Sequence, residues 1–237
     1  MANTTSESKR IRYNDGKKTA LMLVDIQYDF LPGGALAVTD GDKILPVVYD
    51  LLDRFDWDLV VASADDHPKG HVSFASTHNK DCFAQTSIPE PRSKTGATLV
   101  QDLWPDHCVQ GTSGGDFESG VQSRLDASPS KVAVIRKGSH QDIDSYSAFA
   151  DNAYLVFTDL PKVLYSNGIE RLVVVGLATD FCVRATAIDS RKFNFETVVI
   201  RDGIRGVFAD REEAVLSELS SWGAQVQTLG EYENEAS

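Results

Sequence analysis

The chain has 237 residues, 42% hydrophobic and 24% charged, with a formal net charge of −12. That length and balance suit one large soluble domain with a substantial buried core. The acidic charge argues against non-specific binding to nucleic acid or an anionic membrane, and three cysteines (Cys82, Cys108, Cys182) give no disulfide framework.

In chain order, residues 1–17 lack the apolar core of a signal peptide and read as a solvated tail. "TALMLVD" follows, a run rich in Leu and Val with little alternation, which predicts a strand buried on both faces. A helical segment is expected at 42–55, then a second strand, "DLVVASAD". Residues 78–103 form a long polar stretch with two of the eight prolines, expected as an insert loop. Helix-like 117–126 precedes the strand "KVAVIRKG", and helix-like 159–167 precedes "IERLVVVGLATD". Helix 180–192, the strand "TVVIRDG", helix 210–222 and a weak strand "AQVQTL" complete the pattern, before a tail at 231–237. Strand alternating with helix predicts an α/β domain over 18–230 with a parallel sheet. No apolar run approaches the ~20 residues that span a bilayer. The expected location is cytoplasmic, with the nucleus open.

An open parallel sheet binds ligands beyond the carboxyl ends of its strands. Asp25 ends the first strand, Asp65 and His67 end and follow the second, Lys137 ends the third, and Cys182 lies just past the fourth. An acid, a metal-type pair, a cation and a thiol are thus expected along one edge. Each alone has a bland reading as a turn residue, a solvated end or a small core residue. Their shared topology is what promotes them. With Thr179 or Asp180 as N-cap, Cys182 falls in a first helical turn, where amide N–H groups favour a thiolate, and Lys137 adds to this. Asp25 can take the thiol proton and return it to a leaving group, so no histidine is required.

In "ADDHPKGH", Asp65 and His67 are two apart, so an extended chain points them the same way and turns Asp66 to the other side. His71, past Pro68 and Gly70, can fold back as a further ligand, and His107 in "LWPDHCVQGT" is a distant candidate. Mixed Asp and His donors suit Zn, Fe(II) or Mn(II) and are too rich in nitrogen for Ca or Mg. His78 and His140 read as solvated or structural, and Cys108 as a small core residue.

Five stretches, "LMLVDIQYDFLPGGAL", "DDHPKGHVSF", "LWPDHCVQGT", "RKGSHQDIDSYSAF" and "VVVGLATDFCVRATA", together resemble the nicotinamidases (pyrazinamidases), a branch of the isochorismatase-like cysteine hydrolases. The resemblance runs from about residue 20 to 229. It implies a three-layer α/β/α fold with a six-stranded, mostly parallel sheet, and a triad of Asp25, Lys137 and Cys182. It implies metal ligands Asp65, His67 and His107, with His71 as an optional fourth, and one divalent ion, Zn first. Phe30, Trp104, Tyr146 and Leu177 match substrate-pocket positions. Leu177–Ala178 matches a cis peptide, with the N–H groups of Ala178 and Cys182 as the oxyanion hole. Asp66 departs from the family, which commonly has Trp there, and the insert between His71 and His107 resembles the longer eukaryotic forms.

The expected activity is hydrolysis of nicotinamide to nicotinate and ammonia through a cysteine thioester, in NAD salvage, with the ring nitrogen on the metal. Pyrazinamide is a second expected substrate, and a homo-oligomer stays open. The first rival is a metal-free amidase of the same fold acting on an N-carbamoyl or ureido substrate. The second is a non-catalytic metal-binding regulatory protein that kept the fold.

Overall fold

The computed structural model describes residues 10–13 and 15–236. Residues 1–9 of the expected N-terminal tail, with Asn14 and Ser237, lie outside the described residues. Six strands form one sheet: β1 (Thr19–Val24), β2 (Leu59–Asp65), β5 (Val132–Lys137), β6 (Arg171–Leu177), β7 (Glu196–Arg205) and β8 (Gln225–Gln227). Their order is β5-β2-β1-β6-β7-β8, and every pairing is parallel.

The central strands are apolar throughout because both faces are covered. Leu21, Leu23, Val60, Ala62, Val173 and Val175 pack with α1 (Leu45–Arg54), α3 (Ser119–Asp126) and α7 (Leu229–Ala236). The intervening Ala20, Met22, Val24, Val61, Leu172 and Val174 pack with α4 (Leu160–Ser166), α5 (Arg184–Lys192) and α6 (Glu212–Ser221). Alternation along each strand thus feeds two cores, which gives the three layers that the family resemblance implies.

Three expectations are corrected. Residues 231–236 are not a solvated tail but part of α7. Tyr232 is 1% exposed and stacks on Tyr13 (5.4 Å between centroids) and Trp57 (6.3 Å). Burying such a ring contributes about 1.5–3 kcal/mol, enough to hold a helix with no strong propensity. Within 1–17, Ile11 bridges to Phe55, and the Arg10 guanidinium donates to the carbonyls of Leu52 and Phe55. The insert 78–103 is not a bare loop. It contains α2's last residue, α2 being Ala75–His78, and an antiparallel hairpin of β3 (Gln85–Pro89) and β4 (Thr98–Asp102). The prolines that suggested a loop sit at the end of β3 and just beyond it.

Sheet order does the positioning. The neighbours β5, β2, β1 and β6 end side by side, so Lys137, Asp65, Asp25 and Cys182 arrive from four adjacent strands. Lys137 pairs directly with Asp65 in register. At the end of β6, Gly176 has φ +130°, and a Cβ there would lie 2.0 Å from the carbonyl oxygen of Val24. Only glycine lets β6 approach β1 this closely where the two strands deliver Cys182 and Asp25.

Candidate active site

Lys137 is 2% exposed, and its ammonium is the hub of the site. Nζ lies 2.6 Å from Asp65 Oδ1, 2.9 Å from Asp25 Oδ2, 2.9 Å from the Ser145 carbonyl and 3.3 Å from Cys182 Sγ. Burial works to discharge the lysine, but Asp25 and Asp65 outweigh it and raise its pKa well above the usual value. Ser63 donates to Asp25 Oδ1 at 2.7 Å. Asp25 Oδ2 has no aligned hydrogen bond, and an oxygen of this carboxylate lies within 4.8 Å of Cys182 Sγ. A buried carboxylate facing both the Lys137 ammonium and the thiol can accept the thiol proton.

Cys182 sits in a π-helical turn, Thr179–Val183, not in the first turn of an α-helix, and Ala178 occupies the cap position. Asp180 does not cap it: its carboxylate accepts the amides of Val207 and Phe208, both at 2.9 Å. The expected tendency toward a resting thiolate is also corrected. Burial pushes the Cys182 thiol well up, Lys137 pulls it down, and the net is upward. Asp25 is likewise raised by burial, against Lys137. Burial thus opposes a resting thiolate at Cys182. The Leu177–Ala178 peptide is cis.

Asp65, His67 and His107 place one donor atom each within 4.8 Å of one another. His67 Nε2 is 3.6 Å and His107 Nε2 3.8 Å from Asp65 Oδ2. Each ring's other nitrogen is engaged, His67 Nδ1 with the Gly138 carbonyl (2.9 Å) and His107 Nδ1 with the Pro105 carbonyl (2.8 Å). These bonds fix the Nε2 atoms as the inward donors, the support that metal-binding imidazoles require. Gly138 has φ +66°, and a Cβ there would lie 2.4 Å from the His67 ring. Burial lowers His67, but Asp65 prevails and raises it to about 9, while burial and the neighbouring His67 lower His107. The donor set, one carboxylate and two buried imidazoles, fits a divalent N/O-preferring ion.

His71 is not in this group. Its ring stacks on His67 (4.2 Å, 21°), Nδ1 faces Ser73 Oγ at 2.8 Å, and it clusters instead with His67 and Asp144. Asp66 turns outward as expected, toward Arg136 (3.3 Å), Gln110 (3.3 Å) and Ser139 (3.5 Å). His78 donates to or accepts from no site group and pairs with the Val72 carbonyl at 2.8 Å.

Phe30, Trp104, Tyr146, Ala178 and Cys182 line one pocket together with Asp65, His67 and His107. Leu177, expected there, does not line it. It is fully buried in the core beneath, because the strand's alternation turns it away from the mouth. Leu36, Asp144, Phe181 and Val207 line the pocket without having been anticipated. Two positioning residues were also missed. Gln27 clamps the Asp65 backbone, accepting its amide (2.9 Å) and donating to its carbonyl (2.9 Å), and Asp29 accepts the Cys108 amide (2.7 Å) beside His107. The spacing Asp25-Gln27-Asp29 was their one visible signal.

Comparison with known proteins agrees with this geometry. The isochorismatase domain family matches residues 19–231. The nicotinamidase of Escherichia coli is 39% identical over 218 residues, covering 90% of this chain and 96% of that protein. The yeast nicotinamidase bound to the inhibitor nicotinaldehyde superposes with a TM-score of 0.83 at 32% identity, over 89% of this chain and 99% of that one. The pyrazinamidase of Pyrococcus horikoshii in complex with zinc gives 0.70 at 34% identity, over 90% and 99%. The chain therefore belongs to the isochorismatase domain family, among its nicotinamidases.

Proposed function

We propose that this protein is an amidohydrolase that converts nicotinamide to nicotinate and ammonia, and that it also accepts pyrazinamide. The observation that carries this reading is Lys137 Nζ, 2.9 Å from Asp25 Oδ2 and 3.3 Å from the Sγ of Cys182, which lines an aromatic-walled pocket. In the roles proposed, Cys182 Sγ attacks the amide carbon while Asp25 takes the thiol proton. The new C–S bond turns the carbonyl oxygen into an oxyanion, which the N–H groups of Ala178 and Cys182 receive. One such donor is worth about 2.7–4 kcal/mol in a comparable hydrolase. Asp25 then returns the proton to nitrogen as the C–N bond breaks and ammonia leaves. Water cleaves the thioester, releasing nicotinate and restoring the thiol. Lys137 stays protonated and offsets the charge that moves between sulfur and carboxylate.

Asp65, His67 and His107 are the proposed ligands of one divalent ion, zinc first, with Fe(II) and Mn(II) as alternatives. When bound, such an ion supplies Lewis acidity that orients the substrate. Phe30 and Trp104 are proposed to sandwich the aromatic ring and Tyr146 to border it. The metal-free rival is disfavoured by the three-donor group, whose imidazoles are both held with Nε2 inward. Among the described residues no helix is long and apolar enough to cross a membrane, and we place the enzyme in the cytoplasm or nucleus. Ammonia release from nicotinamide by the purified protein tests the reading. Cys182→Ala is expected to abolish it, and a Cys182→Ala protein that still turns over nicotinamide defeats the assignment.

A further inference from the structure

The insert carries a residue that the proposed chemistry does not use. Phe83 is 54% exposed and holds φ +67°, a left-handed conformation that a bulky residue seldom adopts. Its backbone is pinned there: the Phe83 amide donates to the Leu103 carbonyl at 2.6 Å, and the Leu103 amide to the Ala84 carbonyl at 2.8 Å. The hairpin behind it is tied to the pocket wall. Gln101 Nε2 donates to Asp144 Oδ2 at 3.0 Å, and the Tyr146 hydroxyl bonds Asp102 Oδ2 at 3.3 Å. So fixed, the Phe83 ring stands edge-on to Trp104 (5.8 Å, 88°) and meets Phe208 (6.3 Å, 72°).

Phe208 comes from the other side, the connection after β7, and is equally fixed. The Asp180 carboxylate, two residues before the thiol's own residue, holds the Val207 and Phe208 amides. Phe208 packs on Phe181 (6.2 Å), which packs on Trp104 (4.7 Å). Trp104 and Phe181 line the pocket, and Phe83 and Phe208 pack against these two wall residues without lining the pocket themselves. Two loops, each clamped to the site by a carboxylate, therefore bring rings together over the walls of the substrate pocket. Left in water, the Phe83 side chain forfeits much of the gain of burial, so its strained placement calls for a use.

We propose that Phe83 and Phe208 are specificity-determining residues: a rim that admits an unsubstituted pyridine or pyrazine carboxamide and rejects one carrying an added methyl on the mouth side. This rests on the nicotinamidase reading. A methyl group that a shaped apolar wall excludes is worth about 10- to 200-fold in kcat/KM.

The test uses the full-length, metal-loaded protein and the set of singly ring-methylated nicotinamides, each compared with nicotinamide by ammonia release. Phe83→Ala is expected to raise the kcat/KM of at least one methyl isomer about tenfold relative to nicotinamide. Phe208→Ala raises the same isomer, and the double variant gains less than the product of the two, because the rings act together. Phe83→Tyr returns the ratio to the wild-type value. If Phe83→Ala changes nicotinamide and every methyl isomer by one common factor, the ring merely supports Trp104 and the inference is overturned. A wild-type protein that releases no ammonia from nicotinamide overturns instead the reading on which it rests.

Discussion

The two ends of the sheet hold the same ingredients in different surroundings. At the carboxyl end Lys137 is flanked by Asp25 and Asp65, and at the amino end of β6 Arg171 is flanked by Asp15 and Glu196. Both cations are nearly inaccessible, 2% and 3% exposed. The carboxylates differ. The side chains of Asp25 and Asp65 are 0% and 5% exposed, whereas those of Asp15 and Glu196 are 33% and 26% exposed. Water therefore shares the negative charge at the amino end, and both acids there are lowered, as a simple ion pair dictates. At the carboxyl end burial is outweighed at Asp65 by Lys137 and the neighbouring imidazoles, which lower it, whereas at Asp25 burial outweighs Lys137 and raises it. Two acids with separated affinities around one cation can move a proton; two equally solvated acids can only hold a cation in place.

The largest contrast is expected from removing each cation. Lys137→Ala should lower nicotinamide turnover by about 10³-fold, the range for losing charge stabilisation and proton handling together. Arg171→Met, some 20 Å away along β6, should leave turnover near the wild-type level and lower unfolding free energy by about 1–2 kcal/mol, measured by urea titration. It gives up the Arg171–Glu196 bond at 2.9 Å and the stacking on Tyr13 at 4.1 Å. Equal losses of activity in the two variants would erase the distinction. Asp65→Ala comes next: it removes a ligand and a partner of Lys137 at once, so bound metal and activity should fall together by about 10- to 100-fold or more. Metal analysis of the purified variant separates this from a purely electrostatic effect, in which metal content would stay at the wild-type level.

Much of this contrast was visible in the sequence, and unevenly. The strands were legible because burial on both faces makes them continuous apolar runs, and the rule of carboxyl-end binding then gathered Asp25, Asp65, Lys137 and Cys182. Asp25 and Lys137 acquired meaning only through sheet order, which puts β1 and β5 on either side of β2. The amino-end cluster was not legible, since Asp15 and Tyr13 looked like tail residues and α7 buries only Leu229, Tyr232 and Ala236 among its eight residues. Gln27 and Asp29 were missed, and Asp180 was assigned to a cap, for a different reason. Their side chains bond backbone groups of distant loops, and sequence periodicity carries no record of such partners. The π-helical turn around Cys182 likewise escaped, because it differs from an α-helical start by a shift in hydrogen bonding, not in composition.

Asp66 sharpens the comparison at smaller scale, since it is one residue from the dry cluster and already belongs to the wet class. Its neighbours Arg136, Gln110 and Ser139 are surface groups. Asp66→Trp should retain metal and activity within about threefold and shift stability by about 1 kcal/mol or less. Loss of metal in that variant would mean that the strand face has been assigned the wrong way round.

The smallest effect expected is a change in the acid limb of stability, and its sign follows from which carboxylates are lowered. Asp15 is held below its ordinary 3.8 chiefly by the Arg171 hydrogen bond. Glu196 is held below its ordinary 4.5 by Lys17 and Arg171, against its partial burial. A carboxyl lowered in the folded state contributes stability that is complete above its ordinary value and fades as pH falls through the lowered one. Arg171→Met removes the shared cause of both shifts, while the groups around Lys137 are common to the two proteins and cancel. The Tm difference between wild type and Arg171→Met should therefore be greatest near neutral pH and shrink between about pH 5 and pH 3. A difference that stays constant across that window would mean that Arg171 stabilises by packing on Tyr13 alone, and that even the solvated end of the sheet does not couple charge to folding.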